Sequence, residues 1–129
     1  MASVNALKVL LVDDEQSITL SLGKILELSG FRVTISHNGT DAMEHAKAEP
    51  FDVLLTDVML PGMNGIQLAK EIKKICSECK VILLSGNIST QPLLEDARAI
   101  GENFEILSKP IHPTEIIERL SSIDQLRRK

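Results

Sequence analysis

An alternation constrains this chain more than anything else in it: five short apolar runs, each followed by an amphipathic segment. The runs are Lys8–Val12, Phe31–Ser36, Val53–Thr56, Lys80–Leu84 and Phe104–Ser108. Helical patterns follow them at Gln16–Ser29, Thr40–Lys47, Asn64–Ile75, Pro92–Ile100 and Thr114–Ile123. In the first of these, Ile18, Leu22, Ile25 and Leu26 line one face. In the last, Ile116, Ile117, Leu120 and Ile123 do the same, with Pro113 placed to open the helix. Strands alternating with helices predict an α/β fold, a doubly wound parallel sheet with helices on both faces.

The strand order follows from how each run is patterned. Val9-Leu10-Leu11-Val12, Val53-Leu54-Leu55 and Val81-Ile82-Leu83-Leu84 are continuously apolar, as strands buried on both faces must be. Phe31-Arg32-Val33-Thr34-Ile35 and Phe104-Glu105-Ile106 alternate, as edge strands can. Edges at the second and fifth strands, joined by right-handed crossovers, fit a five-stranded sheet of order 2-1-3-4-5 with five helices, an order borrowed from known doubly wound folds. With 129 residues and no linker, repeat or low-complexity segment, a single domain spanning 1–129 is expected, its core at about 7–123.

In such a sheet, ligands bind at the carboxyl ends of the strands. Asp13 and Asp14 end the first strand, Asp57 the third and Ser85 the fourth, and Lys109 follows the fifth. Three converging carboxylates repel, and at least one must take up a proton unless a cation joins them. Oxygen-only ligands suit Mg²⁺, which leaves coordination positions for phosphate. With Lys109 as a second cation and Ser85 as a hydroxyl donor, the set suits phosphoryl transfer, and a carboxylate can serve as its nucleophile.

Four motifs in this order resemble a response-regulator receiver domain of two-component signalling, with its flavodoxin-like fold, over Val9 to about Leu120. They are Val12-Asp13-Asp14-Glu15, Asp57-Val58-Met59-Leu60-Pro61-Gly62-Met63-Asn64-Gly65, Leu84-Ser85-Gly86 and Ser108-Lys109-Pro110. The resemblance implies that Asp57 is the phosphoacceptor, charged by a sensor histidine kinase or phosphotransfer protein. It implies that Asp13, Asp14 and Asp57 hold Mg²⁺ together with the backbone carbonyl of Met59. It also implies that Lys109 contacts the phosphoryl group, that Ser85 follows it on activation, and that Lys109–Pro110 is cis. Such a domain promotes its own phosphorylation and dephosphorylation without being a conventional turnover enzyme, and it acts through a downstream protein target. Two departures stand out. The family's switch aromatic, three residues before the lysine, is Ile106 here, with Phe104 one strand pair earlier. The stretch from Gly101 to Lys109 is also one residue longer than usual, which a bulge could absorb.

Other functions fit less well. A phosphatase using an aspartyl phosphate would have a second Asp two residues after the nucleophile, where Met59 stands. A mononucleotide module would have a glycine-rich first turn in place of Asp13-Asp14-Glu15. A pseudo-receiver would lack an acid or Lys109. A net charge of −4 argues against direct nucleic-acid binding. No apolar run reaches the length of a membrane helix and Met1 to Ala6 carries no signal pattern, so a cytoplasmic protein without membrane insertion is expected.

The remaining candidates have plainer roles. Cys76 and Cys79 follow a helix end, where the dipole disfavours a thiolate, and no further ligands lie nearby, so they read as incidental thiols. His37, His45 and His112 read as surface or capping residues, His112 being the best cap. Ile18 and Ile111 are the apolar residues nearest the rim, where a kinase could dock, although Ile18 could equally be the first core residue of its stripe. Whether the protein acts alone, as a phosphorelay shuttle or as part of a longer regulator is left open, as are its kinase, target, phosphorylated lifetime and oligomeric state.

Overall fold

The structure is a computed structural model and describes residues 5–86 and 104–128. Its elements run β1 (Lys8–Val12), α1 (Gln16–Leu28), β2 (Arg32–Ser36), α2 (Gly39–Ala48), β3 (Val53–Asp57), α3 (Gly65–Ile75), β4 (Lys80–Ser85), β5 (Glu105–Ser108) and α4 (Pro113–Arg127). All strands are parallel, in the expected order β2-β1-β3-β4-β5, with the two strands of alternating polarity at the edges. Four helices lie among the described residues, and the helix expected at Pro92–Ile100 falls outside them.

Strand alternation divides the core into two layers. Leu10, Val12, Leu54 and Leu83 point to the face covered by α2 and α3, where they meet Ala42, Leu68, Ala69 and Ile72. Val9, Leu11, Leu55 and Leu84 point the other way and meet Leu26, Ile116 and Leu120 of α1 and α4. The central runs Val9–Val12, Val53–Leu55 and Val81–Leu84 are continuously apolar because each of their residues belongs to one layer or the other.

Where boundaries differ from expectation, local chemistry accounts for it. The Asn38 side chain accepts from Asp41 N–H and caps α2, so that helix opens at Gly39. Asn64 and Gln67 form a capping box at α3. Helix α4 continues past Ile123 to Arg127, beyond its apolar stripe. Asp124 there pairs with Arg127 and Arg128, and Arg127 also donates to the Asn5 carbonyl. The register from Ile82↔Glu105 to Ser85↔Ser108 is unbroken, so the pairing across β5 contains no bulge. Phe104 and Ile106 both pack on the α2–α3 layer, while Leu107 packs on the other.

Candidate functional site

Each polar candidate is delivered by the end of a strand. Asp57 is the last residue of β3 and pairs with Leu84, and Ser85 comes one residue further along β4. Asp13 follows β1 directly and is tied to the neighbouring edge strand, its N–H donating to the Ser36 carbonyl (3.2 Å). Lys109 follows β5, and its backbone N–H donates to the Ser85 carbonyl (2.8 Å). The Lys109–Pro110 peptide is cis.

The side chains converge. Lys109 Nζ lies 3.1 Å from Asp57 Oδ2 and 3.6 Å from Asp13 Oδ2. Asp13 Oδ1 accepts from Glu15 N–H (3.0 Å), and Asp57 Oδ1 accepts a longer bond from Met59 N–H (3.4 Å). One carboxylate oxygen from each of Asp13, Asp14 and Asp57 lies within 4.8 Å of the others. Asp13 and Asp57 are buried and Asp14 is exposed, so the cluster opens to solvent on one side.

The electrostatics follow from that crowding. Burial pushes the Asp13 carboxyl above its ordinary range. The Glu15 N–H and the Lys109 charge oppose the shift, while Asp57 and Asp14 add to it. For Lys109, burial alone would favour the neutral amine. The hydrogen bond and charge of Asp57, with the charges of Asp13 and Glu15, outweigh it and hold the ammonium above its usual value. One fixed cation thus faces three carboxylates that offer only oxygen. That excess of charge and that donor set fit a hard divalent cation such as Mg²⁺.

Two residues that support the site were assigned no such place from sequence. His37 Nδ1–H donates to the Asp13 carbonyl oxygen (3.0 Å), bracing the turn after β1 from the end of β2. Its position one residue past the strand beside β1 was the available signal. Gly65 is the other. A Cβ there would sit 2.1 Å from the Asp57 carbonyl oxygen, so only glycine lets the start of α3 press against the backbone that carries Asp57.

The other candidates separate clearly. His112 caps α4 by accepting from Thr114 N–H (3.3 Å), and His45 pairs with Asp41 (3.6 Å). Cys76 and Cys79 are free thiols. Cys79 is buried and its thiol is pushed up to about 12, by burial first and then by the neighbouring Cys76. Ile18 is 43% exposed and belongs to neither core layer, which decides against its being a core residue, whereas Ile111 packs partly on the α1–α4 layer. None of the helices among the described residues is long and apolar enough to cross a membrane.

Comparison with known proteins agrees with this geometry. The family model described as "Response regulator receiver domain" matches residues 9–121. The response regulator receiver protein CpdR of Brucella abortus is 33% identical over 116 residues, which span 90% of this chain and 95% of CpdR. The transcriptional regulatory protein CpxR of Escherichia coli K12 is 35% identical over 119 residues, and the match spans 90% of this chain but only 48% of CpxR. The crystal structure of a CheY-like receiver domain protein from Methanospirillum hungatei superposes with a TM-score of 0.84 at 26% identity. That match covers 95% of this chain and 98% of the other. With a family match across most of its length and an acidic, lysine-bearing rim at the strand ends, the chain belongs to the response-regulator receiver domains of two-component systems.

Proposed function

We propose that this domain accepts a phosphoryl group on Asp57 in a Mg²⁺-dependent reaction. The observation that carries the reading is Lys109 Nζ, poised 3.1 Å from Asp57 and 3.6 Å from Asp13 at the mouth of the carboxylate cluster. An Asp57 carboxylate oxygen attacks phosphorus, and the bond to the donor nitrogen of a phosphohistidine breaks with the electron pair leaving on nitrogen. Lys109 stays beside the reacting oxygens and stabilises the charge on the transferring group, while the Ser85 hydroxyl donates to a phosphoryl oxygen once the group has arrived. Asp13, Asp14 and Asp57, with the Met59 carbonyl that the family resemblance adds, would hold Mg²⁺. When bound, the ion neutralises the carboxylates and the incoming phosphate.

The donor would be a sensor histidine kinase or a phosphotransfer protein, docking near Ile18 and Ile111. The phosphorylated form would alter binding to a downstream protein. The domain would be a signalling phosphoacceptor rather than a turnover enzyme, and 1–129 would act as a single receiver unit. The test is intact-mass analysis after exposure to acetyl phosphate. A single phosphoryl addition at Asp57 is expected, abolished by EDTA and by Asp57→Asn. Robust labelling of a different residue in the unmutated protein would falsify the assignment.

A further inference from the structure

Two of the clustered carboxylates leave the backbone on either side of a single peptide bond, and that bond is held from the neighbouring strand. Asp13 and Asp14 are consecutive, so the carbonyl of Asp13 belongs to the rigid unit that joins them. His37 Nδ1–H donates to this carbonyl oxygen (3.0 Å). On the other side of Asp13, its N–H donates to the Ser36 carbonyl (3.2 Å). Both peptide units that flank Asp13 are thereby tied to the end of β2. The anchor is itself fixed. Ser36 is buried in register with Val12, and its hydroxyl donates to Asp41 Oδ2 (2.8 Å) in the first turn of α2.

Asp14 is the exposed member of a cluster whose like charges repel. Rotation of the Asp13–Asp14 peptide is the motion that would let repulsion carry its carboxylate out towards solvent. Among the described residues no cation pairs with Asp14, since Lys109 Nζ reaches Asp13 and Asp57. The bond from His37 opposes that rotation directly. We propose that His37 is a positioning residue for the cation site, keeping the carboxylates gathered for the small Mg²⁺ in preference to Ca²⁺. The inference rests on the rim being a metal site. Mg²⁺ requires short bonds in near-octahedral geometry, whereas Ca²⁺ accepts a larger and less regular set of oxygens. Freedom at Asp14 therefore weakens binding of the smaller ion more.

The test compares the unmutated chain with two variants of this half-buried residue. His37→Leu keeps side-chain bulk and donates nothing. His37→Asn offers an Nδ2–H as many bonds from Cβ as the Nδ1–H of histidine. Mg²⁺ and Ca²⁺ are titrated separately and followed by NMR at the amides of Asp13, Asp14 and Asp57, which reports on the folded protein alone. A hydrogen bond of ordinary net strength changes an equilibrium roughly two- to ten-fold. His37→Leu is therefore expected to raise the Mg²⁺ Kd roughly three- to ten-fold and the Ca²⁺ Kd less than about two-fold. His37→Asn should restore most of the difference.

Each protein serves as its own reference, because the ratio of the two Kd values is what decides. A residue that only stabilised the fold would lower the urea midpoint in EDTA and leave that ratio untouched. The unmutated protein supplies a second readout that needs no substitution: the imidazole nitrogen shifts should place a proton on Nδ1 of His37. An unchanged ratio in His37→Leu, or a ring protonated at Nε2 alone, overturns the positioning role and leaves the metal reading standing. Absence of Mg²⁺-dependent shifts at all three aspartates of the unmutated protein overturns the metal reading and the inference with it.

Discussion

Replacing Asp13 by Asn should make the metal-free protein more stable and the Mg²⁺-loaded protein less so. Asp13 is 2% exposed and shares a region of 4.8 Å with oxygens of Asp14 and Asp57. With an effective dielectric of about 20, each like charge at that separation costs Asp13 about 3.5 kcal/mol. The single attraction to Lys109 at 3.6 Å returns about 4.6 kcal/mol on the same scale. Repulsion from the pair of carboxylates therefore exceeds attraction, and burial of the charge adds to the deficit. Asp14 is exposed and its share is screened, and an Asn amide turned towards Lys109 forfeits part of the gain. The oxygen that accepts from Glu15 N–H is retained.

A net stabilisation of about 1–2 kcal/mol remains at neutral pH, or about 3–8 °C in Tm. The sign with pH follows from the raised carboxyl. Its neutral form stabilises the fold fully below the ordinary value of 3.8, and that contribution is lost as pH rises through the higher folded value. The gap between variant and parent should thus be widest at neutral pH and close under acid. Urea unfolding in EDTA, followed by far-UV circular dichroism because the chain has no Trp or Tyr, measures it. Saturating Mg²⁺ should reverse the ranking, since ligand at a hundred times Kd contributes about 2.7 kcal/mol to whichever protein binds it. An Asp13→Asn protein that is no more stable than its parent in EDTA at neutral pH refutes the argument from crowded charge.

Other consequences can be checked separately. Asp14→Asn should weaken Mg²⁺ binding, visible as a right-shifted NMR titration, and an unchanged titration removes Asp14 from the metal site. Gly65→Ala should destabilise the fold by about 2–4 kcal/mol, because its Cβ would meet the Asp57 carbonyl at 2.1 Å and only backbone movement relieves that. Iodoacetamide at pH 8 should leave Cys79 essentially unmodified while the native fold persists, since a thiol near 12 is almost wholly protonated there; rapid native-state alkylation of Cys79 would show that it is not buried as described. If beryllofluoride with Mg²⁺ moves the amides of Phe104 and Ile106 strongly, and Phe104→Leu abolishes the effect, Phe104 has taken the aromatic role. Shifts confined to Gly86–Leu94 would assign the response to the stretch after β4.

The sheet was legible because its information is one-dimensional. Whether Leu10 or Leu11 faces α2–α3 is fixed by parity, and whether a strand is central is fixed by the lack of polar residues between them. The same parity placed Phe104 and Ile106 on one side, and the unbroken β4–β5 register kept them there. The end of α4 was not legible in this way. Its last turn is held by Asp124 with Arg127 and Arg128, and by Arg127 reaching Asn5 near the other end of the chain. An apolar stripe cannot report a contact of that kind.

The rim illustrates the same division at the level of chemistry. Parallel strands all end on one side, so the residues at or just past the ends of β1, β3, β4 and β5 must share a rim, and their types alone announced an acidic, cation-seeking site. Where the rim is braced is a different matter. His37 reaches the Asp13 carbonyl only because β2 lies beside β1, and Gly65 is obligatory only because α3 begins against the backbone of Asp57. A charged side chain at a strand end carries its meaning in its own chemistry. A bracing residue carries it in the distance to a neighbour, and that distance exists only once the strands have paired.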